Sequence, residues 1–349
     1  MSHTVRLVPS NRSFTVESDE SVLEAALKAG VSLPYSCRSG SCGSCRCHMI
    51  EGEVSYPEGM PIGLSETEHE AGAVLACRAH AETGLVLEVQ ELSRLTEVII
   101  KTLPARVMSM QRLNHDVMQV FLKLPAVERL DYLAGQYVDI LLRDGSRRSF
   151  SLANAPGSSE ELELHIRHVP GGQFTTAVFE EMKEKALVRV QGPLGSFFLR
   201  EDSQRPIILV GGGTGFAPLK AIIEQVIDDG IGRPIHLYWG ARDIADLYSD
   251  LPRQWQEMLP NFRFTPVLSD ASDEWQGRRG WVHEAVLEDY PQPADHDVYM
   301  AGPPPMIEAG HAAFAAAGLP ETQLFFDSFD FAPEVQAALD AQAASKASG

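Results

Sequence analysis

Residues 32–50 read SLPYSCRSGSCGSCRCHMI and place Cys37, Cys42, Cys45 and Cys47 in one short stretch rich in Gly and Ser. The chain holds five cysteines in all, and the fifth, Cys77, lies in VLACRAH. An odd number of thiols in a chain read as cytoplasmic argues against a disulfide framework and points to metal. Two spacings compete. A zinc site takes two separated C-x2-C pairs, or one pair with histidines, and only Cys42 and Cys45 fit that pattern. The other reading is C-x4-C-x2-C with a distant fourth ligand: Cys37, Cys42, Cys45 and Cys77. That is the spacing of plant-type [2Fe–2S] centres. It uses four thiols and leaves Cys47 as a packing residue on the strand leaving the loop. Small Gly40, Ser41, Gly43 and Ser44 let backbone N–H groups approach the sulfurs and stabilise charge added on reduction.

The flanks predict a small α+β unit. HTVRLVP and SFTVES alternate as two short strands with a turn at Ser10-Asn11. DESVLEAALKAG reads as a helix capped by Ser21 or Asp19 and ended by Gly30, and LVLEVQEL reads as a closing strand. Strands, a helix and a cysteine loop within residues 1–93 make a β-grasp. The whole chain, 349 residues with a net charge of −19, is long enough for two or three domains. Such acidity argues against nucleic acid, because phosphate binding needs a basic face. An acidic surface either steers a basic partner or serves solubility alone. The N-terminal MSHTVRLVPSNRS lacks the apolar core of a signal peptide, and no apolar run approaches membrane-spanning length. A cytoplasmic protein with no membrane association is expected.

Beyond residue 93 the pattern changes twice. Residues 94–103 read as a linker, with Pro104 opening the next unit. From 104 to 202, ARVMSMQRL, VMQVFLKL, YVDILL, RRSFSLAN, LELHIRHV and LVRVQG read as short strands around one helix, GGQFTTAVFEEM. This predicts an antiparallel barrel. From 203 to 331, strands PIILVGG, IHLYWGA, FRFTPVLS and DVYMAG alternate with helices. This predicts a doubly wound α/β domain with a parallel sheet. In IILVGGGTGFAPLKAII an apolar strand runs into Gly211–Gly215 and then a helix, an arrangement suited to a pyrophosphate. It departs from G-x-G-x-x-G, because Ala217 and Pro218 follow. Residues 332–349 are Ala/Ser-rich and read as a flexible tail.

These segments carry a resemblance. RSFS (Arg148 to Ser151) is similar to the R-x-Y-S flavin motif of ferredoxin–NADP reductase-like proteins, with Phe150 keeping ring stacking but losing a hydroxyl. HIRHVPGGQFT, GPLGSF, GGGTGFAP, YWGARDIADLY, AGPPPM and FFDSF resemble further motifs of that family, in order. With its first 93 residues resembling a plant-type ferredoxin, the chain resembles the NADH-dependent iron–sulfur flavoprotein reductases of multicomponent oxygenases, and also the CDP-deoxyglucoseen reductases. The resemblance implies FAD, NADH and a [2Fe–2S] cluster as cofactors. It implies a terminal oxygenase, or another one-electron acceptor, as protein partner.

Site roles follow from the resemblance. Arg148 faces flavin phosphate, Phe150 packs on the isoalloxazine, and Ser151 bonds near N5. Arg167, Gly172, Gln173 and Thr175 hold the pyrophosphate. His165 and His168 flank Arg167 as adenine-side or structural residues. Gly211, Gly213, Thr214, Gly215 and Pro218 form the nicotinamide pyrophosphate loop; Gly240 and Arg242 lie on the adenosine side. Ala301, Gly302, Pro303 and Met306 stand where the family has C-G-P-P-P-M, so Ala301 supplies no thiol beside the nicotinamide. Phe329 either covers the flavin or packs in the core. Ser151, Thr214 and Ala301 are the candidates nearest the chemistry. Arg242 is one cation beside Asp243 and Asp246, which favours a free ribose and hence NADH. Nicotinamide yields two electrons together and a [2Fe–2S] cluster takes one, so the flavin implied between them is a two-to-one converter. A non-catalytic redox sensor is the reading from another class, and the intact glycine loop argues against it.

Overall fold

The computed structural model describes residues 2–329; the Ala/Ser-rich segment read as a tail lies outside them. They form two compact units. One comprises the residues up to Ile99 with Gly195–Phe197, and the other Ile100–Leu194 with the described residues from Phe198 onward.

The first unit contains β1 (Ser2–Val8), β2 (Ser13–Glu17), α1 (Val22–Lys28), β3 (Arg46–Glu51), β4 (Val54–Ser55), α2 (Glu66–Glu70), β5 (Ala73–Leu75), β6 (His80–Ala81) and β7 (Leu85–Glu88). Its sheet runs β2-β1-β7-β3-β5. β1 lies parallel to β7 and antiparallel to β2. The alternation of β1 sends Val5 and Leu7 into a core shared with Val22, Leu23 and Ala26 of α1. Ser21 is the N-cap: its hydroxyl accepts from Glu24 N–H while Glu24 answers the Ser21 N–H, a reciprocal box that satisfies two otherwise orphaned donors.

The second unit begins earlier than Pro104. β8 spans Lys101–Arg112, and Pro104 sits within it opposite Arg189. The proline is tolerated because β8 is paired on one side there; its other neighbour joins only from Arg106. Then come β9 (Val117–Lys123), β10 (Tyr137–Leu141), β11 (Arg147–Ser151), β12 (Glu161–Arg167), α3 (Gln173–Glu180) and β13 (Leu187–Leu194). These strands are antiparallel in the order β11-β10-β13-β8-β9-β12, and a Leu152–Leu164 bridge joins the two edges into a barrel.

The same unit continues with β14 (Ile207–Gly212), α4 (Phe216–Asp228), β15 (Ile235–Ala241), α5 (Leu251–Met258), β16 (Phe262–Leu268), β17 (Arg278–Arg279), α6 (Val282–Asp289), β18 (Asp297–Gly302), α7 (Pro304–Ala316) and β19 (Leu324–Ser328). All six strands are parallel, in the order β17-β16-β15-β14-β18-β19. The chain winds outward from β14 on one side and returns to β18 on the other, so a topological switch lies between these two strands. Their carboxyl ends carry the glycine loop and Ala301-Gly302, where such sheets take ligands. FFDSF, read from sequence only as an aromatic ending, supplies β19, with Asp327 opposite Ala301.

Candidate functional site

The cysteine loop follows α1 and ends in β3. The Cys37 and Cys42 thiols lie within hydrogen-bond reach of each other, as do those of Cys45 and Cys77, and Cys45 also feels Cys42. Two thiol pairs therefore converge. Ser41 donates its hydroxyl to Cys37 Sγ at 3.5 Å, and the Ser44 N–H reaches Cys42 Sγ at 3.5 Å. The hydrogen bond between Cys37 and Cys42 lowers the Cys37 thiol and raises that of Cys42, so the pair titrates together. Cys47 differs. It is buried on β3, bonds back to the Cys45 carbonyl at 3.6 Å, and burial pushes its thiol up to about 12. Paired thiols match the donor set of a [2Fe–2S] centre; Cys47, whose partner is the Cys45 carbonyl and not another thiol, stands outside these pairs.

In the barrel, alternation along β11 puts Arg148 and Phe150 on one face and Ser149 and Ser151 on the other. Ser149 is bound to the buried Asp139 at 2.7 Å. Phe150 is half-buried, 5.6 Å from Phe174 in the first turn of α3. Gly172 is the N-cap of α3 and offers no side-chain cap, so the first-turn N–H groups remain available to an anion. Thr175 hydroxyl takes the Val169 N–H at 3.2 Å and so ties the loop before the helix. Gln173 is exposed at the helix start.

The second half of the site lies at the switch point. Gly213–Gly215 make a single 3-10 turn and lead into α4, again without a side-chain cap. Gly213 and Thr214 are half-buried, whereas Gly211, Gly212 and Gly215 are enclosed. The enclosure comes from neighbours. The Trp239 indole donates to the Gly213 carbonyl at 2.9 Å, and its ring stacks on Phe216 at 4.3 Å. A Cβ on Gly212 would lie 2.5 Å from the Met306 sulfur and 3.1 Å from Pro303 Cδ. A Cβ on Gly215 would lie 1.9 Å from the Ala301 carbonyl oxygen. Gly215 is thus demanded by the close passage of β18, a reason distinct from ligand approach. Pro218 is buried in the first turn of α4, and Gly240 packs at the end of β15 against Val282. Arg242 is exposed just past β15, with Asp243 capping the following turn.

Several expected residues meet, and one unexpected residue joins them. Ser151 donates its hydroxyl to the Asp327 carboxylate at 3.2 Å, both groups buried. Asp327 in turn lies opposite Ala301, which lies opposite Gly211. Ser151, Asp327, Ala301 and the glycine loop therefore share one end of the sheet. Phe329, half-buried, donates its N–H to the Gly302 carbonyl at 2.9 Å. The sequence signal for Asp327 was an acid inside an otherwise aromatic motif. Arg167 and His165 each have partners of their own. Arg167 is paired with Asp116 at 2.7 Å and lies near Asp246 at 4.0 Å, and its Nη1 stands 2.7 Å from where a Gly213 Cβ would be. His165 is buried with both ring nitrogens engaged, Nε2 by Glu163 at 2.8 Å and Nδ1 by the Tyr248 hydroxyl at 3.1 Å. His168 contacts the Thr176 hydroxyl at 3.3 Å.

Comparison with known proteins decides what this assembly is. Family models match in order: a 2Fe-2S iron-sulfur cluster binding domain at residues 5–82, an oxidoreductase FAD-binding domain at 104–199, and an oxidoreductase NAD-binding domain at 209–311. The CDP-6-deoxy-L-threo-D-glycero-4-hexulose-3-dehydrase reductase of Yersinia pestis is 40% identical over 94% of this chain and 99% of its own length. The chain belongs to the iron–sulfur flavoprotein reductases. The reductase is also 35% identical to terephthalate 1,2-dioxygenase reductase component 2 of Comamonas sp, over 95% of this chain and 99% of that protein. Among solved structures, the Amycolatopsis cytochrome P450 reductase GcoB matches with a TM-score of 0.77 and 35% identity, covering 94% of this chain and 98% of that one. The reductase is an NADH-dependent oxidoreductase that uses FAD and a [2Fe–2S] cluster. Among the described residues no helix is long and apolar enough to cross a membrane.

Proposed function

We propose that the reductase is the electron-supplying component of a multicomponent oxygenase, drawing on NADH and delivering single electrons to a separate diiron or Rieske protein. One observation carries the reading: convergent thiol pairs, a flavin-type barrel and a nicotinamide-type glycine loop stand on one chain. When bound, the cofactors would supply hydride donation, its conversion into two single electrons with the proton released, and one-electron carriage. The protein's part is to bind and orient these groups. Cys37, Cys42, Cys45 and Cys77 would hold the cluster. Arg148 and the open turn of α3 hold the flavin phosphates, and Phe150 packs on the ring. Arg167, against Gly213, serves the nicotinamide pyrophosphate together with Thr214 and Gly215. Ser151 holds a proton at its Oγ, shared with Asp327, at the flavin edge. Ala301 and Met306 shape the nicotinamide slot.

Arg148→Ala is expected to weaken FAD retention by about 10- to 100-fold, the loss of a charge-assisted contact worth about 1.5–3 kcal/mol. Flavin occupancy after extensive dialysis reads it, and unchanged occupancy removes Arg148 from the site.

The 40% identity to a CDP-hexulose dehydrase reductase favours a second reading, in which the acceptor is a dehydrase bound to a sugar-nucleotide intermediate. Reconstitution separates the two. NADH-coupled product formation with a purified diiron or Rieske oxygenase is the expected result. Turnover only with a CDP-hexulose dehydrase establishes the second reading and overturns the first.

A further inference from the structure

Lys220 lies in the second turn of α4, directly after the glycine loop, and is buried. A lysine so enclosed must be fully paired, because an isolated ammonium is costly away from water. Its Nζ meets Glu163 Oε2 at 2.9 Å, Glu224 Oε1 at 2.7 Å and the Ala153 carbonyl at 2.8 Å. Glu163 belongs to β12 of the barrel, and its other oxygen accepts from Gln119 at 2.7 Å and His165 at 2.8 Å. Burial opposes ionisation of Glu163, but the hydrogen bond from His165 and the Lys220 ammonium outweigh it and hold the carboxyl at about 2. Burial also lowers His165 against the pull of Glu163, and its ring lies between the Glu163 carboxylate at Nε2 and the Tyr248 hydroxyl at Nδ1.

The network grips one short segment. Ala153, Asn154 and Ala155 follow Ser151 by two to four residues, and all are buried. Lys220 takes the Ala153 carbonyl, Glu224 Oε2 takes the Ala155 N–H at 3.2 Å, and Tyr132 donates to the Asn154 carbonyl at 3.0 Å. Asn154 Oδ1 accepts the Glu163 N–H at 3.0 Å. The strand carrying Arg148, Phe150 and Ser151 is thus bolted to the helix that starts at the nicotinamide loop. Neither the flavin motif nor the glycine motif contains this connection.

We propose that Lys220, with Glu163 and Glu224, is a positioning residue that fixes the glycine-loop helix against the flavin-contact strand and so sets the separation of the two reacting rings. Hydride transfer falls steeply with small displacements of donor from acceptor, while dinucleotide affinity rests mainly on the pyrophosphate and adenosine contacts. Loss of the network therefore acts on the hydride step more than on binding. The proposal rests on the reading that Ser151 and Gly211–Gly215 face the flavin and the nicotinamide.

The test uses holoenzyme carrying Lys220→Met, with Glu224→Gln as the milder variant should the first fail to fold. Stopped-flow bleaching of the flavin across NADH concentrations gives the limiting rate and the NADH dissociation constant separately. The expected result is a limiting rate lower by about tenfold or more, with a dissociation constant within about threefold of the parent. The deuterium isotope effect from C4-labelled NADH is retained or increased. Hydrogen exchange at the Ala155 amide quickens by about tenfold, a readout independent of turnover. A normal limiting rate alongside faster exchange overturns the proposal and leaves the network a purely structural clamp. A raised dissociation constant with an unaltered rate also overturns it. Ser151→Ala is the control on the underlying reading: if its limiting rate is normal, that site assignment fails, whereas a slow Ser151→Ala with a normal Lys220→Met sinks the positioning role alone.

Discussion

Cys77→Ser is expected to abolish or cripple the iron–sulfur absorption while the flavin bands persist, and NADH-driven cytochrome c reduction is expected to fall to the level of flavin alone. The same outcome is expected for Cys37→Ser, Cys42→Ser and Cys45→Ser. Each removes one thiolate from a converging pair, and serine oxygen is a poor substitute in an all-sulfur iron site. Cys47→Ser is the discriminating variant. Cys47 points into the core of the first unit, its thiol is pushed up to about 12 by burial, and its contact is the Cys45 carbonyl. That variant should keep its cluster and lose only some packing, about 1–2 kcal/mol of stability in a urea titration. Visible absorption, electron paramagnetic resonance of the reduced protein and iron content give the answer. A Cys47→Ser protein without iron, or a Cys77→Ser protein with an intact spectrum, would refute the ligand set.

The second large effect is expected at Gly215. An added Cβ would lie 1.9 Å from the Ala301 oxygen and 2.5 Å from its carbonyl carbon. Both are backbone atoms of β18, which is hydrogen-bonded in the sheet between β14 and β19, so neither can swing aside as a side-chain tip would. Gly215→Ala must therefore pry the glycine loop away from β18. Overpacking of this kind costs about 1–3 kcal/mol. Shifting the loop by about 1 Å lowers the rate of flavin reduction by NADH by about 100-fold. Cluster occupancy should stay, because the cysteine loop belongs to the other compact unit. Gly232→Ala, where an added Cβ meets nothing within 4 Å, is the matched control and should behave as the parent. Equal flavin-reduction rates for the two variants would show that the Gly215–Ala301 contact does not govern the loop.

Much of this protein was legible from local patterns. The helix start was narrowed to Ser21 or Asp19, of which Ser21 is the cap, and the thiols proposed as ligands are a spacing within one loop plus one distant cysteine. The parallel strands around the glycine loop announce themselves as apolar runs ending in turn residues. Local propensity was less informative at Pro104, which lies inside β8 because the neighbouring strand is absent on one side at that point. FFDSF gave no strand signal because β19 is short and leans on β18 for its pairing.

The sequence by itself therefore determined the redox inventory, the order of the domains and the glycine loop, since each is carried by residue types at short fixed spacings. Only the tertiary structure decided what those parts meet. Asp327 reaches Ser151 across 176 positions of chain because strand order places β19 beside β18 at the switch point. Arg167 stands against Gly213, and His165 packs inward against Glu163 and Tyr248. Lys220 and Glu224 stand one turn apart on a largely apolar helix until folding brings Glu163 and the Ala153 carbonyl to Lys220. Spacing along a chain encodes its elements, but contacts between elements depend on sheet order and on which buried charges must be satisfied, and neither is written in any one segment.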